Sequence, residues 1–396
     1  MTATNRLAQP QPTHDLSGRT TLFFAVACGA IVANLYYAQP LVALIGPAIG
    51  LSEVAASLIV TLSQLGYGLG LLLLVPLGDL FENRRLVVTT LGGTLLALFV
   101  VATATSPSVF LAGALLLGVT SVVVQMLVPL AAHLAPEATR GRVIGTVVSG
   151  LLFGILLARP LASLVADQFG WRTVFLLSAV LMAALAFALV RMLPQHRPSV
   201  RLSYRAILTS LWSLLRTTPL LQRRAAYQAA LFGAFSLFWT AVPLELAGPP
   251  FGFTQRGIAL FTLAGASGAV AAPVAGWLAD HGWTKPATAA ALGLGALAFV
   301  LSWAGVHGSI ALLALAGVVL DIGVQLNLVL GQRAILSLGA EARSRLNGLY
   351  MALFFTGGAI GSALVSPVYV YGGWAATSWL GLGFVATAAL LYAAER

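Results

Sequence analysis

The stretch RVIGTVVSGLLFGILLARPLASLVADQFGW, residues 142–171, has a counterpart 203 residues later, RLNGLYMALFFTGGAIGSALVSPVYVYGGW, residues 345–374. The two segments align without a gap and are identical at eight of thirty positions. The identical pairs include Arg142 with Arg345 and Trp171 with Trp374. An internal repeat in an apolar chain indicates two equivalent bundles that can move relative to each other around a site between them.

Composition places the chain in the membrane class. Of its 396 residues, 59% are hydrophobic and 8% are charged, whereas soluble domains carry about 25% charged residues. A run of about 20 apolar residues is long enough to cross a bilayer as a helix. Such runs occur at about 20–45, 53–80, 86–105, 108–134, 140–168, 172–193, 224–247, 254–280, 285–304, 308–333, 344–368 and 373–394. The sequence therefore predicts an all-α integral membrane protein with twelve transmembrane helices in two pseudo-symmetric six-helix bundles.

The predicted bundles occupy residues 1–193 and 223–396, and a polar linker, residues 194–222, joins them. Within the linker, apolar residues from Leu202 to Leu215 recur at helical spacing, with Arg205 and Arg216 on the polar side. This pattern favours an amphipathic helix at the cytoplasmic membrane surface, although a plain tether is the alternative.

The net charge of +10 comes from basic residues with a one-sided distribution. All but Arg159, Arg172 and Arg256 lie in the termini or in alternate loops. This positive-inside bias predicts that both termini and the linker are cytoplasmic. The basic residues are explained by membrane topology, so we expect no nucleic-acid partner.

Two ionisable residues lie well inside apolar runs, Arg159 in the fifth and Asp321 in the tenth. An ionised side chain at bilayer depth has a high free-energy cost, so such residues mark functional sites by default. One interpretation makes Asp321 a carboxylate that exchanges protons under the influence of Arg159 or substrate. The alternative is a permanent ion pair that fixes helix contacts.

Uncharged polar and aromatic residues inside other runs complete the predicted substrate and proton pathway. The first run contains NLYYAQP, whose polar groups do not all share one helical face. Some of them must therefore face a cavity or bond to neighbouring helices. The candidate residues are Asn34, Tyr36, Tyr37, Gln39, Gln64, Gln125, Trp239, Gln325 and Asn327. Each residue alone is also compatible with interhelical hydrogen bonding or packing.

A charged motif recurs at the predicted cytoplasmic ends of the second and eighth runs. In each half an acid is followed, five or six residues later, by cations that can reach neighbouring helix ends. We call these residues the latch motif; they are Gly78, Asp79, Arg84 and Arg85 in the first half and Gly276, Asp280 and Lys285 in the second.

The sequence contains no constellation typical of an enzyme. The phosphate loop expected of an ATP-driven pump is absent, and the histidines are scattered. Cys28 stands alone, which argues against a disulfide framework or a metal site. We therefore expect no catalytic residues, cofactor or metal.

These motifs resemble the major facilitator superfamily over nearly the whole chain. The second-half segment GWLADHG, residues 276–282, followed by Lys285, is similar to the family pattern Gly-x-Leu-Ala-Asp-Arg-x-Gly-Arg-Arg. The first-half copy departs from it, because Gly78 directly precedes Asp79. Gly150, Gly154 and Arg159-Pro160 resemble the fifth-helix pattern of proton antiporters, with Arg159 where glycine is usual. The arginine that many exporters carry in the fourth helix is absent here.

The resemblance implies a secondary transporter that works by alternating access, with helices 1, 4, 7 and 10 lining a central cavity. It looks like bacterial drug and sugar efflux permeases. This implies a monomer in the bacterial cytoplasmic membrane that exports a small organic compound in exchange for protons. A proton-coupled or facilitated importer, or a membrane sensor that no longer transports, are the alternatives.

Overall fold

The computed structural model describes residues 18–195, 203–338 and 343–395, and every regular element within these ranges is helical. The α-helices are α1 (Gly18–Ala33), α2 (Val42–Ala48), α3 (Leu58–Leu73), α4 (Asn83–Thr103), α5 (Pro107–Thr120), α6 (Val123–Leu134), α7 (Arg140–Phe169), α8 (Trp171–Met192), α9 (Tyr204–Thr217), α10 (Pro219–Ala247), α11 (Gln255–Thr262), α12 (Gly268–Asp280), α13 (Thr284–Gly305), α14 (Ile310–Leu336), α15 (Arg343–Ala363) and α16 (Val365–Ala393). Short 3-10 turns lie at Gln39–Leu41, Glu53–Ala55, Val75–Asp79 and Leu263–Ser267. The predicted all-α membrane class is confirmed.

Nine segments of the described ranges are long and apolar enough to cross a membrane. They are Glu53–Asp79, Asn83–Thr103, Pro107–Leu134, Arg140–Phe169, Trp171–Met192, Pro219–Ala247, Thr284–Gly305, Ile310–Leu336 and Val365–Ala393. Three other predicted runs fall on helices that break. They are 20–45 on α1 and α2, 254–280 on α11 and α12, and 344–368 on α15 and the start of α16. The count of twelve spans therefore stays a prediction.

One identical pair of the repeat has the same backbone role in both halves. Gly170 separates α7 from α8 with a φ of 82°, and Gly373 interrupts α16 with a φ of 59°. Glycine adopts positive φ without the steric cost that a side chain imposes. The repeated Gly-Trp pair thus marks the same turn twice, and Trp171 and Trp374 are both buried behind it.

Each half also contains a close helix crossing built on glycine. In the first half α1 crosses α7, where a Cβ added at Gly154 would overlap the backbone of Gly29. In the second half α10 crosses α15, where a Cβ at Gly361 would overlap the backbone of Gly233. Small residues at such crossings let helix backbones approach closely inside a membrane.

The two halves meet along α3 and α15 and along α7 and α11. Ser57 and Ser366 bond reciprocally, each backbone N–H donating to the hydroxyl of the other at 2.9 and 3.2 Å. Arg256 at the start of α11 pairs with Asp167 near the end of α7 at 2.8 Å. By the positive-inside assignment these contacts lie at the outer end of the molecule. The division into domains at residues 193 and 223 stays a prediction.

The linker helix α9 contacts both halves. Its Tyr204 hydroxyl donates to the carbonyl of Leu73 at 2.9 Å, and Ser210 accepts from Arg345 at 2.5 Å. Ile207 and Leu211 are buried, whereas Trp212 on the other side is exposed. This is the amphipathic arrangement that the linker sequence favours. Residues 196–202 of the linker lie outside the described residues.

Candidate functional site

Arg159 and Asp321 lie at similar depths in the two halves. Arg159 is ten residues from the C-terminal end of α7, and Asp321 is eleven residues from the N-terminal end of α14, two ends that the positive-inside prediction places on the same side. At a rise of 1.5 Å per residue, each lies about 15 Å from the end of its helix. Both side chains are buried, with 3% and 5% of their surface exposed. Neither side chain therefore faces the surrounding lipid.

Three aromatic rings surround the guanidinium of Arg159. Its Cζ lies 4.7 Å from the ring centroid of Trp239, 5.2 Å from Tyr36 and 5.3 Å from Phe235. A cation over a ring face is stabilised by about 2 kcal/mol when it is desolvated. These rings offset part of the cost of burying Arg159, and two of them, Phe235 and Trp239, belong to the other half.

Trp239 also holds the carboxylate. Its indole N–H donates to Asp321 Oδ1 at 2.8 Å. Among the described residues no ion pair within 4.0 Å joins Arg159 to Asp321. The interpretation as a direct, permanent ion pair is therefore wrong for this conformation. Trp239 contacts both charges, because its ring face suits the cation and its indole N–H suits the anion. We call Arg159, Trp239 and Asp321 the central charge cluster.

Gln39 completes the surroundings of Arg159. It lies in the 3-10 turn that follows the break of α1, and its Oε1 accepts from Arg159 Nε at 2.8 Å. Two neighbouring donors, the Arg159 Nη2 and the Gln39 Nε2, are buried and have no partner among the described residues. Buried polar groups are nearly always hydrogen-bonded, so two adjacent unpartnered donors require an explanation.

Gln64 forms a second polar contact between the halves. Its Nε2 donates to Ser236 on α10 at 2.7 Å, and its Oε1 is buried without a partner. Gln64 packs on Gly358 and is beside the stacked rings of Phe232 and Phe354, whose centroids are 3.7 Å apart. Gln64 therefore lies at the interface between the halves, and its role on a transport pathway stays a prediction.

Other predicted pathway residues are held within one half. Asn34 accepts from Ser178 at 2.6 Å, Gln125 donates to Tyr67 at 3.2 Å, and Asn327 donates to Gln228 at 2.7 Å. Tyr37 and Gln325 are half-buried. Asn327 Oδ1 is buried without a partner among the described residues. The assignment of these five residues to a substrate pathway stays a prediction.

The charged residues of the second-half latch motif do not pair as the sequence spacing predicts. Asp280 binds Arg333 of α14, and the Gly276 carbonyl accepts from the same guanidinium at 3.1 Å. Lys285 is exposed, and its carbonyl accepts from Tyr392. The expectation that Lys285 serves as the cation of this latch is therefore wrong for this conformation.

In the first half, Glu82 binds the backbone of Arg84 and Arg85, and its carboxylate also lies 3.8 Å from the Arg85 side chain. Its carboxylate caps α4 by accepting from the backbone N–H groups of both arginines at 2.9 and 3.1 Å. Arg345 of the other half lies close enough to act electrostatically on Asp79. Asp79 and Gly78 also line a cavity of about 370 Å³ together with Gln125 and His133.

Three functional candidates were missed by sequence reasoning, namely Phe235, Arg333 and Arg345 as partners of the charged residues. Phe235 lies one helical turn before Trp239, a spacing that places both rings on one face of α10. Arg345 belongs to the repeat itself, as the counterpart of Arg142. No group of three or more His, Cys, Asp or Glu residues in the described ranges is placed to hold a metal ion.

Comparison with known proteins gives the family. The sequence model of the Major Facilitator Superfamily matches residues 22–305. An Escherichia coli O157:H7 protein described as "Uncharacterized transporter YgaY" is 43% identical over 368 residues, 92% of each chain. The "Probable transporter SCO4007" of Streptomyces coelicolor is 37% identical over 379 residues, covering 94% of this chain and 88% of that protein.

Solved structures show the same fold. The nucleoside transporter NupG superimposes with a TM-score of 0.76 at 14% sequence identity, covering 94% of this chain and 98% of that one. The family match and the full-length relatives together make this chain a multi-pass membrane transporter. It belongs to the major facilitator superfamily.

Proposed function

We propose that this transporter works by alternating access around the central charge cluster, and that Asp321 carries the coupling proton. The observation that carries the proposal is the burial of Arg159 and Asp321 against one side chain, Trp239, with one charge contributed by each half. Buried charges at this depth are retained when they serve passage through the membrane.

The contacts between the halves support the alternating mechanism. For the cluster to reach the outer solution, the bonds of Ser57 with Ser366 and of Asp167 with Arg256 must break. For it to reach the cytoplasm, the attraction between Asp79 and Arg345 must yield. These interactions are polar, and they would break and re-form as one half rocks against the other.

The proposed direction is export of a small organic compound in exchange for protons, across a bacterial inner membrane with both termini cytoplasmic. In that scheme the proton and the substrate occupy the cluster in turn. Proton-coupled import is the second candidate, and it requires that the two bind together. The unpartnered donors of Arg159 and Gln39 favour this candidate, because an acidic substrate bound there would place negative charge close to Asp321.

The test is accumulation in inverted membrane vesicles, measured with a library of cationic, neutral and anionic compounds, with and without a collapsed proton gradient. Export predicts uptake into inverted vesicles that depends on the gradient and is lost in Asp321→Asn. The matched control is Glu137→Gln, because Glu137 is an exposed loop acid remote from the cluster.

The same experiment separates the alternatives. Gradient-driven uptake into right-side-out vesicles identifies an importer. A sensor that does not transport predicts no uptake in either orientation and no difference between the wild type and Asp321→Asn. That result would contradict the proposal.

A further inference from the structure

We infer that the substrate group recognised at the central charge cluster is a carboxylate on a flat apolar body, because two adjacent buried donors, on Arg159 and Gln39, lack acceptors beside a row of aromatic rings. This inference rests on the proposed function, since it takes the cluster as the transport site. It goes further by naming the chemical class of the substrate.

The donors lie on one edge of the guanidinium. Nε and Nη2 of an arginine form the planar fork that binds carboxylates with two parallel hydrogen bonds. Here Nε donates to Gln39 Oε1 at 2.8 Å, and Nη2 has no acceptor. The neutral amide oxygen of Gln39 therefore occupies one donor of the fork, Nε. A substrate carboxylate can displace this oxygen or bind beside it at Nη2.

The orientation of Gln39 follows from the same bond. Its oxygen must face the Arg159 Nε–H, since the reversed amide would direct one donor at another. The Gln39 Nε2 therefore points away from Nε, and it too has no acceptor. An acceptor with two oxygens can take one hydrogen bond from Arg159 Nη2 and another from Gln39 Nε2. Two buried donors without acceptors lower the free energy of unfolding. An acidic ligand that accepts from both donors would remove this destabilisation.

Aromatic side chains define the body of the ligand. Beyond Phe235 and Trp239, whose centroids are 6.4 Å apart, Phe232 stacks on Phe235 at 5.1 Å and on Phe354 at 3.7 Å. This row of aromatic rings extends from Trp239 of the central charge cluster to Phe354 on α15 of the same half. It passes the hydrogen bond by which Gln64 joins the two halves. Rings arranged in this way favour stacking with a planar apolar group.

The charge balance favours a monoanion and determines the coupling. The cluster contains one cation and one carboxylate, so a bound substrate carboxylate adds a second negative charge near Asp321. Coulomb repulsion between the two anions favours a proton on Asp321 when the substrate is bound. The substrate and the proton then bind together, which favours the second candidate of the proposed function, proton-coupled import, over export by exchange.

The experiment measures binding by isothermal titration calorimetry of the full-length protein in lipid nanodiscs. The probes are benzoate, phenylacetate and indole-3-acetate, the amide of each, and phenylphosphonate. We expect at least one carboxylate to bind about tenfold or more tightly than its amide, because only the anion gains charge-assisted bonds. Its affinity should rise as pH falls toward neutral, as binding coupled to a proton requires.

Arg159→Lys tests the fork while keeping the positive charge. We expect it to reduce the preference for carboxylate over amide to about threefold or less, because an ammonium cannot present the planar pair of donors. The matched control is Arg172→Lys, since Arg172 donates to the Ala104 carbonyl away from the cluster. The control should keep the preference of the wild type. Size-exclusion profiles and circular dichroism establish that both variants fold.

Three results overturn the inference: equal binding of carboxylate and amide, tighter binding of phenylphosphonate, or no carboxylate with a Kd below about 10 mM. If the vesicle assay still shows transport that depends on Asp321, only the substrate class is wrong. If carboxylates bind but the vesicle assay shows no transport, the proposed function is wrong and the binding site stands.

Discussion

The two halves of the molecule share their scaffold but not their chemistry. In each half a pair of long helices crosses on glycine, α1 with α7 and α10 with α15. The charges have no such counterparts. At the spacing of the repeat, Arg159 corresponds to Ser362 and Asp321 corresponds to Gly118. Ser362 bonds Thr61 of the other half, and Gly118 packs against the backbone of Ser63.

The comparison teaches that the repeated positions build the moving parts and the unrepeated positions build the site. The packing also departs from the sequence repeat by one turn. In the alignment, Gly154 corresponds to Gly357. In the structure Gly154 contacts Gly29, whereas the equivalent contact in the second half, with Gly233, is made by Gly361. One helical turn corresponds to a shift of about 5 Å along the axis. The two crossings are therefore equivalent in kind but displaced in depth.

The largest expected effect comes from removing one charge of the asymmetric pair. Arg159→Met leaves Asp321 buried without a cation, and we expect a loss of about 3 kcal/mol in stability together with the loss of transport. Adding Asp321→Asn should restore most of the stability but no transport. Thermal denaturation in nanodiscs and vesicle uptake measure the two effects. If Arg159→Met alone were as stable as the wild type, the burial of the Asp321 side chain would not depend on Arg159.

Locking the outer end tests whether the halves must separate. Ser57→Cys combined with Ser366→Cys, in a Cys28→Ala background, places two thiols where the serines now bond reciprocally. Oxidation should reduce transport by more than about tenfold, and a reductant should restore it. Each single cysteine variant is the control and should be insensitive to oxidant. Full transport by a demonstrably crosslinked protein would rule out opening at this end.

The glycine crossings allow a test of whether the two scaffolds are equivalent. Gly154→Ala and Gly361→Ala should each cost about 2 kcal/mol, since the new Cβ meets the backbone of a neighbouring helix. The controls are Gly145→Ala and Gly348→Ala, an identical pair of the repeat with open space around the added atom. These controls should be stabilising by about 0.5 kcal/mol, because alanine favours helix. Unequal losses at Gly154 and Gly361 would break the equivalence.

The smallest effects should distinguish the two latches. Asp280 and Arg333 pair at the surface within one half, so Asp280→Asn should cost at most about 1 kcal/mol and leave the transport rate nearly unchanged. Asp79→Asn removes an attraction between the halves and should change the transport rate a few-fold, less at high salt. Lys285→Gln should change neither quantity. A larger rate effect at Asp280 than at Asp79 would reverse this assignment.

Hydropathy and motif spacing predicted much of the fold but not where helices break. The first apolar run is interrupted after Ala33, and the break brings Gln39 to Arg159. Pro40 signals a break, but it does not say which side chain turns inward. In the site, Arg159 and Asp321 stand out by charge alone, whereas Phe235 is one of nineteen phenylalanines and nothing local distinguishes it.

What the sequence determined by itself is the membrane class, the family, the internal repeat and the identity of the buried charges. These follow from composition, local hydropathy and motifs, which are properties of contiguous residues. The three-dimensional structure was needed to show that Trp239 contacts both Arg159 and Asp321, and that Arg333, not Lys285, binds Asp280. These partners lie up to 82 residues apart in the chain, and their meeting depends on how each helix is rotated and shifted against its neighbours.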